Sequence, residues 1–233
     1  QNFLASSEAK RRRPEELLGS LAQVRRDGIL FHDYLFTGRE REIFDHTLGI
    51  LMKAAEHPKV VAIGEIGLDY HWHQDDLPAQ KAWFAAQTIA ARELGLPLVI
   101  HSRDAAQDTF ELLEGLDAGS IGGVMHCYSY KWEMALEYVK RGFFIGIGGS
   151  STYGRAKHKK GKLYQVIREV PLSNIVLETD APYQTPESHR GERNDSSLLF
   201  EVADYIAEIK GCKASEVVAA TRDNALRLYP KMH

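Results

Sequence analysis

The chain has 233 residues, 44% of them hydrophobic, with a formal charge of -3 and a pI near 6.4. That length buries a sizeable core without disulfide or metal staples, and the charge balance excludes a protein that coats nucleic acid through a basic face. No apolar run approaches the roughly 18 residues of a membrane helix. Cys127 and Cys212 lie far apart and outside any CxxC pair, and the N-terminus lacks the order of a signal peptide, so a soluble, cytoplasmic chain with two free thiols is expected.

Residues 1–58 read as a charged, irregular N-terminal segment, and residues 59–233 as the regular part of the chain. The basic run Lys10-Arg11-Arg12-Arg13 reads as a solvated terminus that could also touch phosphate. Pro14 followed by Glu15 and Glu16 opens a predicted helix to about Arg26. Gly28-Ile29-Leu30-Phe31 offers one strand, ending in His32-Asp33.

From Lys59 onward, short apolar runs alternate with helical patterns. Val60–Ile63 reads as a strand, 78–94 as a helix carrying Trp83, Phe84 and Ile89, and Leu98-Val99-Ile100 as a strand. A helix near 105–114, a strand at Gly123-Val124-Met125 and a helix over 131–140 follow. Phe143–Ile147 and 174–177 read as further strands. Leu199, Val202, Ile206 and Ile209 are spaced as one helix face, and Ser215 opens a last helix with Val218, Ala225 and Leu228 inward. Continuous apolar strands alternating with helices imply a parallel sheet covered by helices. With no GxGxxG or P-loop, and polar residues at successive strand ends, the expected fold class is α/β, a TIM-type barrel that is incomplete or irregular at its N-terminal strands.

Four of those strand ends carry possible metal ligands: Glu65 to Asp69, His101, His126, and Glu178 to Asp180. One histidine after a strand is commonly a hydrogen-bonded structural residue, and one glutamate an ion-pair partner. Two imidazoles and two carboxylates on one barrel rim form a set suited to zinc, manganese or magnesium.

The stretch from His57 to Tyr70, containing Gly64-Glu65-Ile66-Gly67-Leu68-Asp69, resembles the central signature of the TatD family of metal-dependent deoxyribonucleases. Leu98–Arg103, Met125-His126-Cys127, Leu177-Glu178-Thr179-Asp180-Ala181-Pro182-Tyr183 and Arg190–Asn194 are similar to its later segments, in order, over about residues 50 to 228. The resemblance implies a two-metal site that hydrolyses DNA phosphodiesters, at a free or single-stranded end. It implies that Glu65 bridges the metals, that His101 and His126 hold one, and that Asp180 holds the other and serves the attacking water. Arg103 and Arg193 become candidate phosphate contacts, with structural ion pairs as the competing reading.

The family's first His-x-His is not found before Glu65. About 58 residues are too few for three strand–helix units of about 30 each, so a homo-oligomer that supplies the gap is one expectation. His46 is a weaker substitute ligand. His71-Trp72-His73 has the right spacing but reads as a surface loop whose histidines approach the substrate. One or two divalent ions per chain are expected, with the Asp180 metal weakened. A hydrolase of a small ester or amide, and a non-catalytic scaffold, stay open as alternatives.

Overall fold

The structure, a computed structural model, describes residues 38–72, 74–155 and 163–232. The expected helix at 14–26, the strand at 28–31, the basic run, His32 and His73 lie outside the described residues. The chain divides into two compact units, residues 1–122 with 229–233, and residues 123–228.

In the first unit, helix α1 (Arg39–Ala55) packs on helix α2 (Leu77–Leu94). Phe44, Leu48, Met52 and Ala55 are buried, a stripe at steps of four, four and three. Phe44 meets Trp83 with ring centroids 4.2 Å apart. The sequence reading places no helix over 39–55 within the charged, irregular segment 1–58, because the stripe is narrow and interrupted by charges. His46 lies on the exposed side of α1 rather than at a strand end, so it is not a substitute strand-end ligand.

Strand β1 (Ile63–Asp69) pairs in parallel with β2 (Leu98–Arg103). Val60-Val61-Ala62, read as strand from their apolarity, precede β1, and Glu65 lies inside the strand rather than beyond it. Three steps on β1, from Ile63 to Ile66, oppose two on β2, from Leu98 to Ile100. The extra residue is a bulge. Beyond it, Ile66 and Leu68 turn into the core, while Glu65, Gly67 and Asp69 take the other face. Helix α2 begins with Pro78 in its first turn, stops at Gly95 in the left-handed conformation, and covers β1. Helix α3 (Ala106–Gly115) packs on β2.

In the second unit, β3 (Gly123–Met125), β4 (Phe143–Ile147) and β5 (Ile175–Leu177) run in parallel, Met125 level with Ile145 and Ile147 with Leu177. Helices α4 (Trp132–Lys140), α5 (Tyr164–Glu169), α6 (Leu199–Lys210) and α7 (Ala214–Leu228) accompany them. Tyr138 and Phe143, both almost fully buried, meet edge to face at 6.0 Å. On α7 the inward residues are Val217, Thr221, Asn224 and Leu228, one position off the expected Val218 and Ala225. The shift follows from Asn224, whose side-chain amide donates to the carbonyls of Leu172 and Ile175 and so ties the helix to β5.

Candidate metal centre

The register of the first unit explains one cluster. Gly67 is level with His101, and Asp69 with Arg103. A side chain at position 67 would strike the backbone of His101. A Cβ there would fall 1.8 Å from the His101 carbonyl oxygen, and the backbone φ of +149° also calls for glycine. The His101 imidazole sits between two carboxylates. His101 Nδ1 is 2.8 Å from Glu65 Oε1, and Nε2 is 3.1 Å from Asp69 Oδ2.

Carboxylates are acceptors only, so an imidazole bonding to both at once carries a proton on each nitrogen. The hydrogen bond to Glu65 accordingly pushes His101 above its ordinary value; burial opposes the rise and Asp69 adds to it. Burial would raise the Asp69 carboxyl. The N–H of Trp72, the His101 imidazole and the N–H of His71 outweigh that and hold it below its usual range. Both N–H groups donate to Asp69 Oδ1 at 2.9 Å. Gln80, in the first turn of α2, holds the strand end from the other side. Its Oε1 accepts from the Asp69 N–H at 2.8 Å, and its amide donates to the Asp69 carbonyl at 3.2 Å. Glu65, Asp69, His101, Gln80 and Asp76 line a cavity of about 480 Å³.

The second unit carries a more enclosed cluster. His126 directly follows β3, and its Nδ1 lies 2.7 Å from Glu178 Oε2. The other Glu178 oxygen accepts from the Cys127 N–H. This carboxylate fits because residue 146 on β4 is glycine: a Cβ there would stand 2.6 Å from each Glu178 oxygen. The other ring nitrogen, Nε2, lies 3.4 Å from Asp180 Oδ1. With a proton on Nδ1 alone, directed at Glu178, the Nε2 lone pair and the Asp180 oxygen would both be free to ligate a shared cation. Ligand atoms around one metal with bonds near 2.1 Å stand about 3 to 3.5 Å apart, so the pair has the spacing of shared ligation. Glu178 takes the role of the carboxylate that fixes a ligating histidine's tautomer and orientation.

Asp180 adopts a left-handed backbone, φ 58°, which a short polar side chain tolerates. Gln184 donates to its Oδ2 at 2.5 Å. Asn194, 2% exposed, fastens the loop by donating its amide to the carbonyls of Thr179 and Tyr183, each at 2.6 Å. Among the described residues, His126, Cys127 and Glu178 also form a trio whose ligand atoms lie within 4.8 Å of one another.

The structure thus brings Glu65 together with His101, and His126 with Asp180, one pair in each unit. Arg103 ends β2, exposed, and among the described residues makes no ion pair. Arg193 is exposed, and its charge helps lower Asp195. His71 pairs with Asp104 at 3.1 Å. Sequence reasoning placed Asp69 and Glu178 at candidate strand ends without choosing them as site residues, and missed Gln80, Gln184 and Asn194. For Asp69 and Glu178 a signal existed: each is two positions from a chosen carboxylate or four from one at the same strand end. For the amides there was none.

The family model described as TatD related DNase matches residues 38–230. This chain belongs to that family. The match begins at residue 38, so it takes in α1 as well as the motifs from about residue 50. The metal-dependent hydrolase YabD of Bacillus subtilis is 39% identical over 188 residues, covering 81% of this chain and 72% of its own. Human deoxyribonuclease TATDN3 is 32% identical, covering 75% and 61%. The crystal structure of YjjV, a TatD homologue from Escherichia coli, overlays with a TM-score of 0.71 at 30% identity, covering 81% of this chain and 73% of that one. The TatD-family chain is therefore an α/β protein of irregular TIM-barrel type, in a family of metal-dependent hydrolases. No helix among the described residues is long and apolar enough to cross a membrane.

Proposed function

We propose that this chain is a divalent-metal-dependent phosphodiesterase that acts on DNA, exonuclease-like, at a free or single-stranded end. The observation that carries the reading is the facing pair His126 Nε2 and Asp180 Oδ1, 3.4 Å apart, with the imidazole clamped from behind by Glu178 at 2.7 Å. Glu65, His101, His126 and Asp180 are the proposed ligands, for magnesium, manganese or zinc. A bound divalent ion lowers the pKa of a ligating water and neutralises charge growing on a phosphate oxygen.

The chain's own groups then have definite tasks. Asp180, steadied by Gln184, accepts a proton from the attacking water. Glu178 keeps the His126 proton on Nδ1, so that Nε2 faces the site. Arg103 offers a fork of donors, two residues from His101, for a phosphate oxygen, and Arg193 does the same from the 190–194 segment. The family description and the name of the human relative support DNA as the substrate. The test is degradation of a single-stranded oligonucleotide with magnesium or manganese, stopped by chelator. Metal binding without any turnover on DNA would overturn the reading in favour of a scaffold.

A further inference from the structure

The loop after β1 holds a feature that the hydrolytic centre does not use. Trp72 is 67% exposed. An indole left that open forgoes burial, yet it is not loose. The backbone N–H of Trp72 donates to Asp69 Oδ1 at 2.9 Å, which fixes where the side chain leaves the chain; the other oxygen of that carboxylate meets His101 at 3.1 Å. The Arg103 guanidinium stands 5.5 Å from its ring centroid, and the His71 ring meets it edge-on at 4.6 Å. His71 is itself fixed by Asp104 at 3.1 Å, and Tyr70, just before, donates its N–H to the Arg103 carbonyl at 2.9 Å.

An exposed aromatic face beside a cation selects its occupant. The guanidinium repels a second cation, which excludes quaternary ammonium ligands. It attracts an anion, and the indole accepts a flat π-system. The ligand offering both within one repeat is a nucleotide whose base is unpaired: the base stacks, and its phosphate meets the guanidinium. A paired base inside a duplex has its faces covered.

We propose that Trp72, braced by Arg103 and His71, is a stacking platform for an unpaired base of single-stranded DNA. It gives the site its preference for frayed or single-stranded ends. The proposal rests on the nuclease reading for its substrate. It places a specificity residue on the loop anchored to Asp69, where a stacked base would hold the adjoining phosphate beside Arg103.

Titration of the metal-free chain, with chelator present, by a (dT)12 oligonucleotide tests it without turnover. The tryptophans are Trp72, Trp83 and Trp132, and Trp72 is the exposed one. Fluorescence of the wild-type chain should be quenched. W72F, which keeps a ring but not the indole, should lose most of the quenching and retain most of the affinity. W72A should bind about 10- to 100-fold more weakly. In the metal-loaded protein, W72A should raise KM for the oligonucleotide and leave turnover of bis(4-nitrophenyl) phosphate, a diester without a base, unchanged. Equal affinity in W72A and wild type, or quenching that survives in W72F, would overturn the platform. Quenching by (dT)12 with no cleavage of either substrate would instead overturn the nuclease reading and keep the platform.

Discussion

Both clusters pair an imidazole with carboxylates, and a glycine serves each in a different way. Gly67 lets β1 pass close to the backbone of His101, and Gly146 leaves room for the Glu178 carboxylate itself. The clusters differ in exposure and in what the carboxylates do. His126 and Glu178 have side chains 15% exposed, and Glu178 is held by the Cys127 N–H. That carboxylate is spent on orientation. His101 and Glu65 have side chains 36% and 43% exposed, and both imidazole nitrogens face carboxylates, one of them the proposed ligand Glu65. The enclosed cluster is preorganised, while the open one must exchange a proton for a metal.

The largest expected effect breaks the enclosed cluster at its reactive end. Asp180→Asn keeps the volume and the contact to Gln184 but loses the charge and the basic oxygen. Turnover on an oligonucleotide should fall by about 100-fold or more, with the thermal midpoint nearly unchanged. Next is Glu178→Gln, which keeps the size but can present an amide to His126 and to the Cys127 N–H. Metal affinity measured by titration calorimetry should drop about 10- to 100-fold.

The open cluster is sharpened by pH. Because the folded chain holds His101 above its ordinary value of 6.5, this group stabilises the metal-free protein fully below 6.5, and that contribution fades as pH rises through the raised value. Asp69, held below 3.8, contributes above 3.8 and loses its share as pH falls through its lowered value. Metal uptake runs opposite to the His101 contribution, since the proton must leave. Affinity should rise as pH climbs past the His101 transition, and calorimetry in buffers of different ionisation heat should record proton release. The smallest effect is Gln80→Ala. Its two hydrogen bonds to the Asp69 backbone contribute about 1 kcal/mol each, which denaturant unfolding should detect, with turnover only modestly reduced.

Much of this was legible in the sequence where apolarity alone decides structure. The strands at Gly123–Met125, Phe143–Ile147 and Ile175–Leu177 are short buried runs and sit where the pattern put them. Strand β1 was displaced because its outward residues are Glu65, Gly67 and Asp69, which look like a loop until the bulge and the pairing with β2 are known. Helix α1 was hidden because one residue in four faces the core. The ligand candidates Glu65, His101, His126 and Asp180 could be chosen from their strand ends and from the family resemblance. Glu178, Gln80 and Asn194 could not be given roles, because their work depends on which backbone groups and rings stand within 3 Å.

The proposed ligation is tested most directly by counting metal. Wild-type chain, Glu65→Ala and His126→Ala are each equilibrated with manganese, freed of excess, and assayed for metal per chain alongside a circular dichroism spectrum. The expectation is one to two ions per wild-type chain and a clear loss in both variants at unchanged secondary structure. Equal metal content in all three would contradict the assignment of Glu65 and His126 as ligands.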